Sequence, residues 1–234
     1  MHFTTRRIAE APALLAHAEA RAHHAPLVLW FHGLGVDKET HRAELQLLAE
    51  HGFLAVGIDA VGHGERRWPH LQQLIDAPRD EAFASAVDMA AQTSREVPAI
   101  LDQLIREGTI DPNRIALAGI SMGAFAVYRA LIECRGRISN AVAILGSPHW
   151  PSASSPHNEL DAFCDAALLS ITAELDENVP PHAARELHYA LEQRCPDRHR
   201  YVELPGAVHL MSAAHWEDTK REMLNWLCAG INKP

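Results

Sequence analysis

The run Ala118-Gly119-Ile120-Ser121-Met122-Gly123-Ala124 sets a serine between two glycines, directly after an apolar stretch and directly before a helix-forming one. A hydroxyl in that setting can attack an electrophilic carbonyl carbon once its proton is taken. A sharp strand-to-helix turn lifts the oxygen clear of the backbone, and the residues two before and two after it must be tiny for strand and helix to approach. The turn also places Ser121 at the amino end of a helix, where free N–H groups and the helix dipole favour developing negative charge. Two plainer readings remain open: so short a pattern arises by chance, and a serine here can merely cap the helix beginning at Met122.

A hydroxyl is a weak nucleophile near neutrality, so Ser121 needs a base within hydrogen-bond reach and an acid to orient that base. The chain offers both in order. Asp176 sits in the polar loop Leu175-Asp176-Glu177-Asn178-Val179-Pro180, and His209 in Pro205-Gly206-Ala207-Val208-His209-Leu210. Glu174 and Glu177 are alternative acids, and His209 is one of sixteen histidines. Acyl transfer also needs donors for an oxyanion. The N–H of Met122 is one candidate, and the glycine-rich turn His32-Gly33-Leu34-Gly35 offers that of Leu34, unless its glycines only end a strand. His63, His149 and Trp150 follow other apolar runs and are candidates for substrate contact.

These residues need a scaffold that brings them to one edge. Pro26–His32, Phe53–Asp59, Arg114–Ile120, Asn140–Gly146, Ala167–Ala173 and Arg200–Leu204 read as strands, most apolar almost throughout, as strands covered on both faces require. Helical stretches alternate with them: Lys38–His51, Asp80–Glu107, Met122–Glu133, Pro181–Gln193 and Ala214–Ala229. Such alternation implies right-handed crossovers and a doubly wound α/β sheet whose ligand crevice lies beyond the strands' carboxyl ends. Ser121, Asp176 and His209 all fall on that rim. Pro98 is expected to kink or divide the long third helix. The first 25 residues read equally as a helix over Glu10–Arg21 or as an edge hairpin.

Composition bounds the rest. With 234 residues and 47% apolar side chains, the chain is expected to fold as one domain, residues 1–234. A net charge of −9 with scattered Lys and Arg argues against nucleic acid as a partner. No apolar run approaches the roughly 20 residues needed to cross a bilayer. Cys134, Cys164, Cys195 and Cys228 form no CxxC pair and no signal-peptide pattern is seen, so reduced thiols in a cytoplasm are expected. His23 and His24 have no metal-ligand spacing around them, and no metal is expected.

Taken together, His32-Gly33-Leu34-Gly35, the loop Asp59 to Arg66, the Gly119–Gly123 elbow, the Asp176 to Pro180 loop and the His209 loop resemble small bacterial α/β-hydrolase esterases, from about residue 26 onward. The order Ser, Asp, His is also theirs. The nearest group is the compact carboxylesterases beside the dienelactone hydrolases and prolyl-oligopeptidase-type domains. The resemblance implies hydrolysis of a carboxylic ester, usually with no cofactor; a monomer or homodimer is expected. It also implies a strand pair at the amino terminus. Dienelactone hydrolases proper carry a cysteine at the elbow, so Ser121 leaves their substrate class behind. The stretch from Gly146 to Ala167 is too short for a helical lid, which favours small esters in an open site. A serine peptidase, an acyltransferase and a non-catalytic binding protein on the same scaffold are the rivals.

Overall fold

The computed structural model describes residues 1–19, 22–152 and 154–231. In chain order its elements are β1 (His2–Ile8), β2 (Ala11–His17), β3 (Ala25–Phe31), α1 (Arg42–Glu50), β4 (Leu54–Ile58), α2 (Leu71–Ile75), α3 (Arg79–Arg106), β5 (Ile110–Ile120), α4 (Met122–Glu133), β6 (Asn140–Ile144), α5 (Leu160–Phe163), β7 (Ala167–Ala173), α6 (His182–Arg194), β8 (His199–Leu204) and α7 (Ala213–Ile231). The eight strands form one sheet in the order β1-β2-β4-β3-β5-β6-β7-β8. Only β2 runs against the others, pairing antiparallel with β1 and β4. This is the α/β-hydrolase arrangement that the alternating runs and the sequence resemblance imply.

The central strands are apolar on both faces because each face is covered by helices. Leu27, Leu29, Phe31, Val56, Ile58 and Leu117 pack into one buried cluster with α3 and α4. Val28, Trp30, Ala118, Val142, Ile144 and Ile171 point the other way, to a second cluster with α1 and α7. Consecutive residues of one strand thus alternate between two dry layers. The rim that carries Ser121, Asp176 and His209 is held at the carboxyl ends of the strands by this double core.

Four expectations are refined. The amino-terminal segment is the hairpin β1–β2, not a helix; Ala20 and Arg21 of the ambiguous stretch lie outside the described residues. The first long helix begins at Arg42 rather than Lys38, because Lys38 is drawn inward: its N–H donates to Asp59 Oδ1 and its ammonium to Asp59 Oδ2, each at 3.0 Å. Pro98 does not divide α3, which runs through it. A helix-interior proline costs about 3 kcal/mol, but Val97, Ile100, Leu101 and Leu104 are fully buried around it, and each such side chain returns ~1.5–3 kcal/mol.

The fourth concerns the cysteines. Cys164 and Cys195 are joined in a disulfide, where reduced thiols were expected; Cys134 is a buried free thiol. The pair lies 31 residues apart, and only the packing of α5 against α6 brings the sulfurs together. No helix among the described residues is long and apolar enough to cross a membrane.

Candidate active site

Ser121 adopts φ 56° and ψ −120°, a conformation that a residue with a side chain rarely takes and that must be held by its surroundings. Its N–H donates to the Ile144 carbonyl at 2.8 Å, while its own carbonyl accepts from Ala124 at 2.9 Å. The flanking glycines explain why the turn closes. A Cβ on Gly123 would lie 2.1 Å from the Phe31 carbonyl oxygen, and one on Gly119 would lie 2.4 Å from that of Gly123. Helix α4 therefore rests directly on the backbone of β3, and the serine stands at the crest between β5 and α4.

The three side chains meet. Ser121 Oγ lies 3.0 Å from His209 Nε2, and His209 Nδ1 lies 2.7 Å from Asp176 Oδ2. Asp176 is 4% exposed, and its other oxygen accepts from the N–H groups of Asn178 at 2.9 Å and Val179 at 2.8 Å. With Oδ1 so occupied, Oδ2 is left for His209 Nδ1–H. That bond fixes the tautomer whose Nε2 accepts from Ser121. Of the alternative acids, Glu174 turns its carboxylate to the Gly206 N–H at 2.7 Å and Glu177 is exposed, so neither faces the imidazole. The two loops are stitched together as well: Glu174 N–H donates to Leu204 and Leu175 N–H to Ala207.

Around the serine, two N–H groups can receive negative charge. Met122 is the first residue of α4, so its N–H has no acceptor within the helix. Leu34 is half-buried in the turn after β3, and the Cβ direction of neighbouring Gly33 comes within 3.8 Å of Ser121 Cβ. This turn is clamped by two buried histidines. His63 accepts the Gly35 N–H on Nε2 at 3.0 Å and donates Nδ1–H to the Val61 carbonyl at 3.0 Å. His32 accepts the Ala60 N–H on Nε2 at 2.9 Å and donates Nδ1–H to the Gly33 carbonyl at 2.7 Å. Burial lowers the pKa of His63 and brings that of His32 down to about 4, so both stay neutral and keep the acceptor nitrogen that the clamp uses.

The residues read as substrate contacts divide. His149 is exposed, its ring 4.3 Å from that of His157, on the wall of a groove of about 160 Å³ that it shares with Phe83, Ser147, Val179, Pro180 and His182. Trp150 is 2% exposed and donates its indole N–H to the Ser147 carbonyl at 3.0 Å; it belongs to the core. His63 is 0% exposed with both ring nitrogens engaged, so it offers no surface to a substrate. In the sequence His63 was visible only as part of a Gly-His-Gly turn. Its partner Gly35 lies 28 residues away, across a strand crossing that linear spacing does not record.

Residues 27–229 match the alpha/beta hydrolase family. The chain belongs to that family. Among curated relatives of this hydrolase is a Bacillus subtilis (strain 168) protein named "Putative esterase YitV", 34% identical over 140 residues, which are 59% of this chain and 52% of that protein. The hydrolase therefore aligns with about half the length of that relative. Among solved structures, TT1662 from Thermus thermophilus superposes with a TM-score of 0.75 at 25% identity, over 97% of this chain and 99% of its own. A structure described as "Putative Dienelactone Hydrolase" from Klebsiella pneumoniae subsp. pneumoniae MGH 78578 gives a TM-score of 0.77 over 97% and 98%; at 18% identity the likeness shows the shared fold.

Proposed function

We propose that this hydrolase cleaves carboxylic esters of small acyl or alcohol groups through an acyl-enzyme on Ser121. The observation that carries the reading is the continuous chain Ser121 Oγ, His209 Nε2, His209 Nδ1, Asp176 Oδ2, with contacts of 3.0 and 2.7 Å. His209 takes the Ser121 proton as the oxygen attacks the ester carbonyl. The N–H groups of Leu34 and Met122 hold the oxyanion, and each such bond is worth roughly 3 kcal/mol in the transition state. The imidazolium then passes its proton to the departing alcohol. Water, deprotonated by the same imidazole, releases the acid and restores the serine. No cofactor enters this scheme.

The surroundings support a small substrate. Between β6 and β7 the longest described helix is α5, four residues, and Trp150 and Ser155 are buried. The groove beside His149 is of about 160 Å³. A cavity of about 150 Å³ accommodates a benzene-sized group, which supports short acyl or aryl groups as the part bound there. His149, exposed on that wall, is the residue we assign to substrate contact.

Turnover of p-nitrophenyl esters graded by acyl length, set against a peptide p-nitroanilide, tests the reading. Short esters are expected to be the better substrates, with Ser121→Ala lowering kcat by several orders of magnitude in a folded protein. Preferential cleavage of the anilide would favour a peptidase, and an active Ser121→Ala protein would end the assignment.

A further inference from the structure

The Cys164–Cys195 bond lies at the amino-terminal ends of β7 and β8, the opposite rim from Ser121, and the chemistry proposed above makes no use of it. Cys164 follows α5, Cys195 follows α6, and His199 opens β8. His199 turns Nε2 to within 3.2 Å of Cys195 Sγ. The ligand atoms of Cys164, Cys195 and His199 all lie within 4.8 Å of one another, a grouping of three found at no other place among the described residues.

The corner that holds them is tied by more than the sulfur–sulfur bond. Arg198 donates to the carbonyls of Cys164 at 2.7 Å and Asp165 at 3.3 Å, and Arg194 pairs with Asp161. These ties bridge the end of α5 to the end of α6 beside the sulfur–sulfur bond. Cys195 and His199 are half-buried on the wall of a surface depression of about 460 Å³ shared with Asp197, Arg200 and Tyr201, so an ion from solution can reach them. Cys134, by contrast, is buried in the core.

We propose that reduction of the Cys164–Cys195 disulfide opens a binding site for a thiophilic divalent cation such as Zn2+, with Cys164 Sγ, Cys195 Sγ and His199 Nε2 as its ligands. A dithiol reductant supplies two electrons and two protons, breaking the S–S bond to two thiols and leaving as its own disulfide. Each thiol then loses its proton as its sulfur takes the metal, two protons per ion. Tetrahedral zinc with Zn–S of about 2.3 Å and Zn–N of about 2.0–2.1 Å sets sulfur and nitrogen about 3.6 Å apart. The present 3.2 Å between Cys195 and His199 is a few tenths of an ångström from that. The fourth position faces the depression and is filled by water, as at open zinc sites. Two thiolates cancel the ion's charge, so Arg198 and Arg200 exert no net repulsion on the loaded site. In the oxidised chain the thiolates that a metal needs do not exist. The corner therefore holds either a disulfide or a metal ion.

Cobalt titration tests this. The purified chain, as oxidised protein and after reduction with a phosphine followed by desalting under argon, is titrated with Co2+ and then Zn2+, with circular dichroism recorded throughout. The expected result is one Co2+ per reduced chain with thiolate-to-cobalt charge transfer, displaced by Zn2+ and absent from the oxidised chain. Cys164→Ser should lose the charge-transfer band, and His199→Ala should weaken Co2+ at least about tenfold. A reduced wild-type chain that binds no cobalt, that binds it equally in both variants, or that unfolds on reduction would overturn the proposal and leave the pair a structural cross-link.

Discussion

The imidazole of His63 accepts the N–H of Gly35 at 3.0 Å, one residue beyond the Leu34 N–H assigned to the oxyanion. The bond joins the turn after β3 to the turn after β4. A hydrogen bond to a fully buried acceptor fixes the direction of the neighbouring peptide, and displacements of about 1 Å in a catalytic donor can cost 10²-fold in rate. His63→Ala is expected to lower kcat about 10- to 100-fold with KM within about twofold, because the lost interaction acts in the transition state. His63→Gln places a carbonyl oxygen near the position of Nε2 and should recover part of that loss. Steady-state kinetics on a short ester decides it; an Ala variant changed only in KM would show that His63 does not position the oxyanion turn.

Replacing the acid acts through the tautomer of the base. In Asp176→Asn, the side-chain oxygen stays with the Asn178 and Val179 N–H groups and the amide NH2 faces His209. The imidazole must then carry its proton on Nε2, which can no longer accept from Ser121. We expect kcat to fall by about 10⁴-fold with little change in stability. A loss below tenfold would point to another acid.

What the amino-acid order made legible follows a physical divide. The apolar runs announced buried strands because both faces of the sheet are dry, and Ser121, Asp176 and His209 were readable because each follows such a run. Elsewhere the deciding contacts cross the fold. Trp150 resembles a rim residue in the chain, yet its side chain is buried and its indole N–H finds Ser147. Cys164 and Cys195 pair only because α5 and α6 pack together, although the four-residue step from Cys195 to His199 was open to inspection. Lys38 favours a helix locally, but Asp59 pulls it into the core.

The elbow glycines differ sharply in tolerance. A methyl on Gly123 would meet the Phe31 carbonyl oxygen at 2.1 Å, and that atom belongs to a central strand that cannot move aside. Gly123→Ala is expected to destabilise the protein by more than about 4 kcal/mol or to prevent folding. A methyl on Gly33 would find its nearest neighbour at 3.7 Å, ordinary contact, so Gly33→Ala should keep the fold. Thermal melts of the two variants make the comparison. Equal melting temperatures would contradict the packing described.

Acid should unfold the protein through its buried histidines. Burial lowers the pKa of His32 to about 4 and that of His188 to about 3, against 6.5 for an ordinary histidine. Between those values the unfolded chain takes up protons that the folded chain refuses, so stability falls as pH drops below 6.5. Each of the two contributes a slope of up to about 1.4 kcal/mol per pH unit. His188→Gln should lessen the slope by about one proton while keeping a partner for the Ser170 hydroxyl, now 2.8 Å from His188 Nε2. Urea unfolding at pH 7, 6 and 5 measures this; a variant slope equal to that of the wild type would show that His188 is not held neutral.

His209 and Asp176 are expected to make the Ser121 hydroxyl reactive. Labelling with a fluorophosphonate, followed by peptide mass spectrometry, measures that reactivity without any assumption about substrate. The expected result is one label per chain, on Ser121, formed far more slowly in His209→Ala and absent in Ser121→Ala. Failure of the folded wild-type protein to label, or a label on another residue, would contradict it.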